Sequence, residues 1–469
     1  MPLGGVWEHR ARSPRHPRTE THALGPDAGG GRMAGELVRQ VARATPADRN
    51  RYVDFLRVTA LGAVVVGHWI IPVFVPANGD FAVHFIMTQE PWTRWATWLF
   101  QVMPVFFIVG GYANAVAWTR AEAAGESAVA WASRRARRLL RPLAPVVVAW
   151  VVLVAVGQAV GVEARWLTFA SQSALVPAWF LAVYVVVTVA VPITLRLEER
   201  LGLALPAVLA ALVAGTDALA LGASEEVQWA NFVWVWFAVH QLGLRWHRRG
   251  LVRPVGGIAL LVAGVASLGV LVTLAGYPVD MVAEENGRTN ATPPSLAMLG
   301  LAVAQLGLVA LLRPPLERAL ARPGLWGAVA LVGSRIMTVF LWHMTAMIAV
   351  AAGLAAAGWL PLRDALDWGW WSSRPVWMLM CAVVLAVLVA LLGRAERVPR
   401  NRSVSPTGAV GTTAGALVTA VAVGTLSAGG VYDADGPLGL ALWPLVALLA
   451  ALAALGVLER DRPTDEVSG

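Results

Sequence analysis

Apolar residues come along this chain in long, almost uninterrupted runs, as in 64–76, 146–160 and 178–195. Runs near twenty residues match a hydrocarbon layer of ~30 Å at about 1.5 Å rise per residue. A helix satisfies its own backbone in lipid, and the segments are too uniformly apolar for barrel strands, which alternate. The pattern predicts an all-α, polytopic transmembrane helical bundle of about twelve spans, with no convincing strand. The expected spans cover 55–76, 96–118, 139–160, 178–195, 203–221, 228–244, 255–276, 295–312, 335–357, 375–393, 408–430 and 438–458.

The loops between these runs set an orientation. Arginines crowd the loops 119–138, 245–253 and 394–403, each after an even-numbered span, while loops after odd spans carry Asp80, Glu90, Asp217, Glu225, Glu226, Asp280, Glu284 and Glu285. Basic loops stay in the cytoplasm, so both termini are expected there, in a cell membrane. Composition supports lipid as the solvent: of 469 residues, 57% are hydrophobic and 14% charged, and mean hydropathy is +0.62. A soluble domain carries about a quarter charged residues. The net charge is +8 with no lysine, and the basic residues are scattered through short loops, which argues against nucleic-acid binding. Residues 1–50 are polar and rich in Arg, Gly and Pro, and read as a disordered cytoplasmic tail rather than a secretory signal. Met33 is an alternative start. The tryptophans at 92, 95, 98, 368, 370 and 371 read as an interfacial belt or as a platform for sugar rings.

Ionisable side chains inside the hydrocarbon are costly and therefore candidates for function. Arg57 and His68 lie eleven residues apart in the first span, which at about 100° per residue places them on one face, roughly 16 Å apart along the axis. Asp54 can pair with Arg57. A neutral imidazole can take a proton from an attacking hydroxyl, and an arginine at the mouth can bind phosphate. A packing histidine is the plainer reading of His68. Arg134, Arg135, Arg137, Arg138 and Arg141 open the third span. They read as a phosphate site or as ordinary positive-inside anchoring. His343 falls near mid-membrane and either orients His68, lines a chamber, or is structural. His84, His240 and His247 are placed at loops, and Glu198 and Glu199 read as solvated charge. No His, Cys and acidic cluster has metal-ligand spacing. The single cysteine, Cys381, sits in an apolar run and reads as inert.

Several of these pieces together resemble the membrane acyltransferase-3 family. Tyr52-Val-Asp54-Phe-Leu-Arg57 looks like its opening, with Gly67-His68 at its glycine-histidine. Phe106-Phe107-Ile-Val-Gly110-Gly111-Tyr112 is similar to its Phe-Phe-x-x-Ser-Gly-Tyr. Arg138-Leu-Leu-Arg141 resembles its Arg-x-x-Arg, with Arg135 and Arg138 as an alternative register. Trp179-Phe180-Leu181 and Phe340-Leu-Trp-His343 match later motifs. Gly110 stands where the family usually has serine, and Phe340 where it has tyrosine. The resemblance implies a ten-span core over 51–395, two extra helices over 396–458, and a cytoplasmic tail over 459–469. It implies acyl-CoA, acetyl-CoA above all, as donor, held by Arg135, Arg138 and Arg141. It makes Arg57, His68 and His343 the catalytic set, with no metal. His68 would act as base or as a transient acyl carrier. The acceptor would be a hydroxyl of a carbohydrate, macrolide or lipid. The rival classes are a transporter or flippase of a lipid-linked or polar solute, and an inactive assembly subunit.

Overall fold

The computed structural model describes residues 28–46, 49–77, 80–222, 225–283, 288–363, 365–393 and 408–458. Among them, ten helices are long and apolar enough to cross a membrane, from Arg51–Ile70 to Ala409–Gly429. Both remaining expected spans are also helices, and each departs from the simple pattern for a physical reason. The sixth, Asn231–Arg249, is less apolar because Asn231, His240 and Gln241 are buried against protein rather than lipid. The twelfth, Leu442–Ala454, has 13 residues, fewer than the ~20 that a straight crossing needs.

Local chemistry sets several boundaries. The Asn50 side chain caps the first span by accepting from the Val53 amide at 3.1 Å. That helix ends at Ile70 rather than 76, because Pro72 follows and lacks an amide to continue the ladder. The chain instead forms an antiparallel hairpin, Pro72–Ala77 against Asp80–Phe85, in register Pro72 to Phe85 and Ala77 to Asp80. This corrects the expectation of no strands. Alternate side chains of the first strand enter different clusters, Phe74 the main core and Val73 and Val75 a satellite one, so both faces are covered and no polar alternation announces the strand.

The third expected span begins earlier than 139. An amphipathic helix, Ala128–Leu140, starts at the Ser127 cap and gives way at Arg141 and Pro142 to the apolar helix Leu143–Ala159. Part of the expected disordered tail is also ordered, as the helix Ala28–Arg43. It packs on Pro323–Gly333, where a Cβ on Gly327 would meet the Val38 carbonyl at 2.1 Å. The rest of the expected tails, 1–27 and 459–469, and the junction at 395–396 lie outside the described residues.

Three indole N–H groups pin the helices around the first span. Trp69 donates to the His343 carbonyl at 3.0 Å, Trp377 to the Trp69 carbonyl at 2.8 Å, and Trp150 to the Thr345 hydroxyl at 3.0 Å. Close packing does the rest. A Cβ on Gly243 would lie 1.9 Å from the Ile108 carbonyl, and one on Gly111 would lie 2.3 Å from that of His240. The helices Met103–Ala123 and Asn231–Arg249 thus cross backbone to backbone, as small residues allow in membranes. Glu198, expected to be solvated, is 1% exposed and pairs with Arg245 at 3.3 Å and Arg248 at 3.0 Å.

Candidate active site

His68 is in the last turn of Arg51–Ile70, and His343 sits within Ile336–Ala356. Helix packing brings them into direct contact: His68 Nδ1 lies 2.8 Å from His343 Nε2. The rings are nearly parallel, at 13°, with centroids 5.1 Å apart. The short N–N separation against the longer centroid distance puts them edge to edge, as a hydrogen bond requires.

The proton positions follow from the neighbours. His343 Nδ1 is 2.6 Å from the Phe340 carbonyl. A carbonyl only accepts, so Nδ1 of His343 carries hydrogen. In a neutral ring its Nε2 is then the acceptor, and His68 donates to it from Nδ1. This leaves the Nε2 lone pair of His68 free. His68 lines a cavity of about 370 Å³ whose walls include Trp92, Thr97, Gln101, Trp179 and Phe340. Trp92 and Trp371 stand together at its edge, ring centroids 6.1 Å apart. The site is thus a proton acceptor backed by a buried histidine, in a mainly apolar chamber with an aromatic rim.

Arg57 is at the other end of the same helix. Its Nη1 is 3.8 Å from Asp54, and Asp54 in turn holds Arg49 at 2.6 Å. Of the three arginines expected to bind the donor, Arg135 turns inward: its Nη2 donates to Asn114 Oδ1 at 2.7 Å, and its guanidinium lies 5.9 Å from the Trp131 ring. Arg57, Arg134 and Arg138 are all close enough to act electrostatically on it. Arg138 is exposed and Arg141 half-buried at the helix break. The structure therefore joins His68 with His343, and Arg57 with Arg135 and Arg138, as two separate groups at different depths.

Between them lies a network that sequence reading missed. Asn114 Nδ2 approaches the Tyr184 hydroxyl at 3.3 Å, Thr188 Oγ1 at 3.1 Å and His240 Nε2 at 3.3 Å. His240, expected near a loop, is fully buried. Asn114 and His240 were themselves the available signal, as polar groups inside apolar runs. The same network explains Gly110. A Cβ there would stand 2.6 Å from both Cε2 and the hydroxyl of Tyr184, so the tyrosine fills the space that a serine would use.

One family model matches this chain: that of the acyltransferase domain of the acyltransferase-3 family, over residues 50–394. No curated protein and no solved structure matches it.

Proposed function

The chain belongs to the acyltransferase-3 family of membrane acyltransferases, and from that premise we propose that it moves an acetyl or other acyl group from cytoplasmic acyl-CoA to a hydroxyl of a carbohydrate or glycoside. The observation that carries this reading is the His68–His343 pair on the wall of a chamber, whose hydrogen bonds leave His68 Nε2 as the nitrogen able to accept a proton.

In the proposed reaction the nucleotide phosphates of the donor meet Arg57, Arg135, Arg138 and Arg141, and the thioester reaches toward His68. The acceptor O–H gives its proton to His68 Nε2 as its oxygen attacks the thioester carbon. The C–S bond breaks, and the departing sulfur takes that proton from the imidazolium. Throughout, Nδ1–H of His68 remains bonded to His343 Nε2, which stabilises the transient cation. The aromatic rim suits a sugar ring, whose C–H face stacks on indoles.

Mass spectrometry of envelope glycans and exported metabolites tests the proposal, in cells with the intact chain, a His68→Ala variant or neither. One acyl mass present with the intact chain and lost in the variant, at matched abundance, is the expected result. An acyl profile identical in the intact chain and the variant overturns it and moves the weight to transport of a lipid-linked solute.

A further inference from the structure

A second cavity, of about 740 Å³, adjoins the His68 chamber and shares Val176, Trp179 and Thr292 with it. One wall is aromatic, from Trp179, Phe232 and Phe237. The other comes from Ala420, Val421 and Gly424 of the Ala409–Gly429 helix, which lies beyond the residues that the family model covers. Three of the polar side chains on its walls are engaged with backbone carbonyls. Gln172 donates to the Ala428 carbonyl at 2.6 Å, Thr425 to that of Val421 at 3.0 Å, and Ser427 to that of Leu175. The rest of the lining is mainly aliphatic and aromatic C–H surface. The crevice also opens sideways, since Val421 and Leu417 on its border, both of the Ala409–Gly429 helix, are 61% and 51% exposed, and apolar side chains exposed on spanning helices face hydrocarbon rather than water.

We propose that this crevice holds the hydrocarbon tail of a lipid-linked acceptor, whose hydroxyl-bearing head occupies the His68 chamber. The inference rests on the acyl-transfer reading and names its acceptor class: a glycoside on a long alkyl or prenyl chain. An apolar crevice that borders both the bilayer and the chamber suits a molecule already dissolved in the membrane. The donor's acyl chain is a poorer occupant, because it arrives from the arginine end with its thioester held at His68. The extra Ala409–Gly429 helix gives this chain one wall of the crevice.

The probe is a photoreactive hexadecyl glucoside with a diazirine in its chain, applied to the full-length protein in nanodiscs. Labelled peptides are expected within 172–186, 229–237 and 417–428, the segments that line the crevice. A Cβ on Gly424 would meet nothing within 4 Å, so Gly424→Trp has room at its Cβ to project into the crevice, and it lowers labelling about tenfold, equivalent to about 1.4 kcal/mol of binding. Ala420→Leu gives a smaller loss in the same direction. His68→Ala leaves labelling intact, which separates the binding step from the chemistry. Equal labelling in Gly424→Trp, or labels confined to segments other than these three, overturns the inference. So does loss of the label on adding palmitoyl-CoA, which assigns the crevice to the donor. Loss of acyl transfer in Gly424→Trp with soluble glucosides also overturns it, since those acceptors have no tail to place. Labelling of the crevice together with an unchanged acyl profile in His68→Ala cells sinks the catalytic reading alone.

Discussion

The proton acceptor at His68 is set by a short relay that begins at a backbone carbonyl. Phe340 fixes the tautomer of His343, and His343 fixes that of His68. Removing the middle group leaves His68 with no partner for Nδ1–H and lets the ring turn. His343→Phe is expected to lower kcat about 10- to 100-fold, less than the roughly 10²- to 10⁴-fold worth of a general base, which is itself retained, with KM for the thioester unchanged. His343→Gln retains an acceptor oxygen and should recover part of the rate. Steady-state kinetics on the purified protein decides, and equal rates for His343→Phe and the intact chain would remove His343 from the mechanism. Other residues show how far single-residue readings travel. His68 and Arg57 were visible as ionisable groups at an eleven-residue interval. Glu198 was misread because its two partners lie some fifty residues ahead, on another helix. No local pattern signals burial of that kind.

At the scale of elements, glycine decides what can cross. The helices Met103–Ala123 and Asn231–Arg249 approach so closely at Gly111 and Gly243 that a methyl group has no room. That crossing carries His240 to Asn114 and holds the network beside Arg135. Gly243→Ala is expected to cost about 3 kcal/mol, the upper range for overpacking, seen as a lower Tm in detergent. The same change at Gly215, where a Cβ meets nothing within 4 Å, should leave Tm nearly unchanged. Equal Tm values in the two variants would contradict the close crossing. The hairpin at 72–85 and the helix at Ala28–Arg43 were unforeseen for related reasons. The first strand is buried on both faces, and the helix gains its partner in Pro323–Gly333 only through tertiary contact. Helices packed on a partner owe most of their stability to that packing rather than to propensity.

For the whole molecule, the sequence assigns a direction that chemistry can read. The basic loops mark one side and the hairpin side carries the acidic ones. The only cysteine, Cys381, is fully buried, so introduced thiols report without background. His84→Cys is expected to react with an impermeant maleimide in intact cells, and Arg249→Cys only after permeabilisation. The opposite pattern would invert the proposed orientation and place the donor arginines on the wrong side.

The sequence alone determined that the chain is a helical membrane protein and roughly where the expected spans lie, because hydropathy over twenty residues is a local property that the bilayer reads directly. It also determined the candidate pair in the first span, through helical periodicity, and the family, through motifs in order. Only the tertiary structure decided that His343 meets His68 ring edge to ring edge, which of the arginines faces inward, and that Tyr184 occupies the space beside Gly110. It alone set beside the chamber an apolar crevice walled by a helix more than two hundred residues away from Trp179. These are contacts between distant segments. They depend on how side chains fill space across helices, which no run of neighbouring residues encodes.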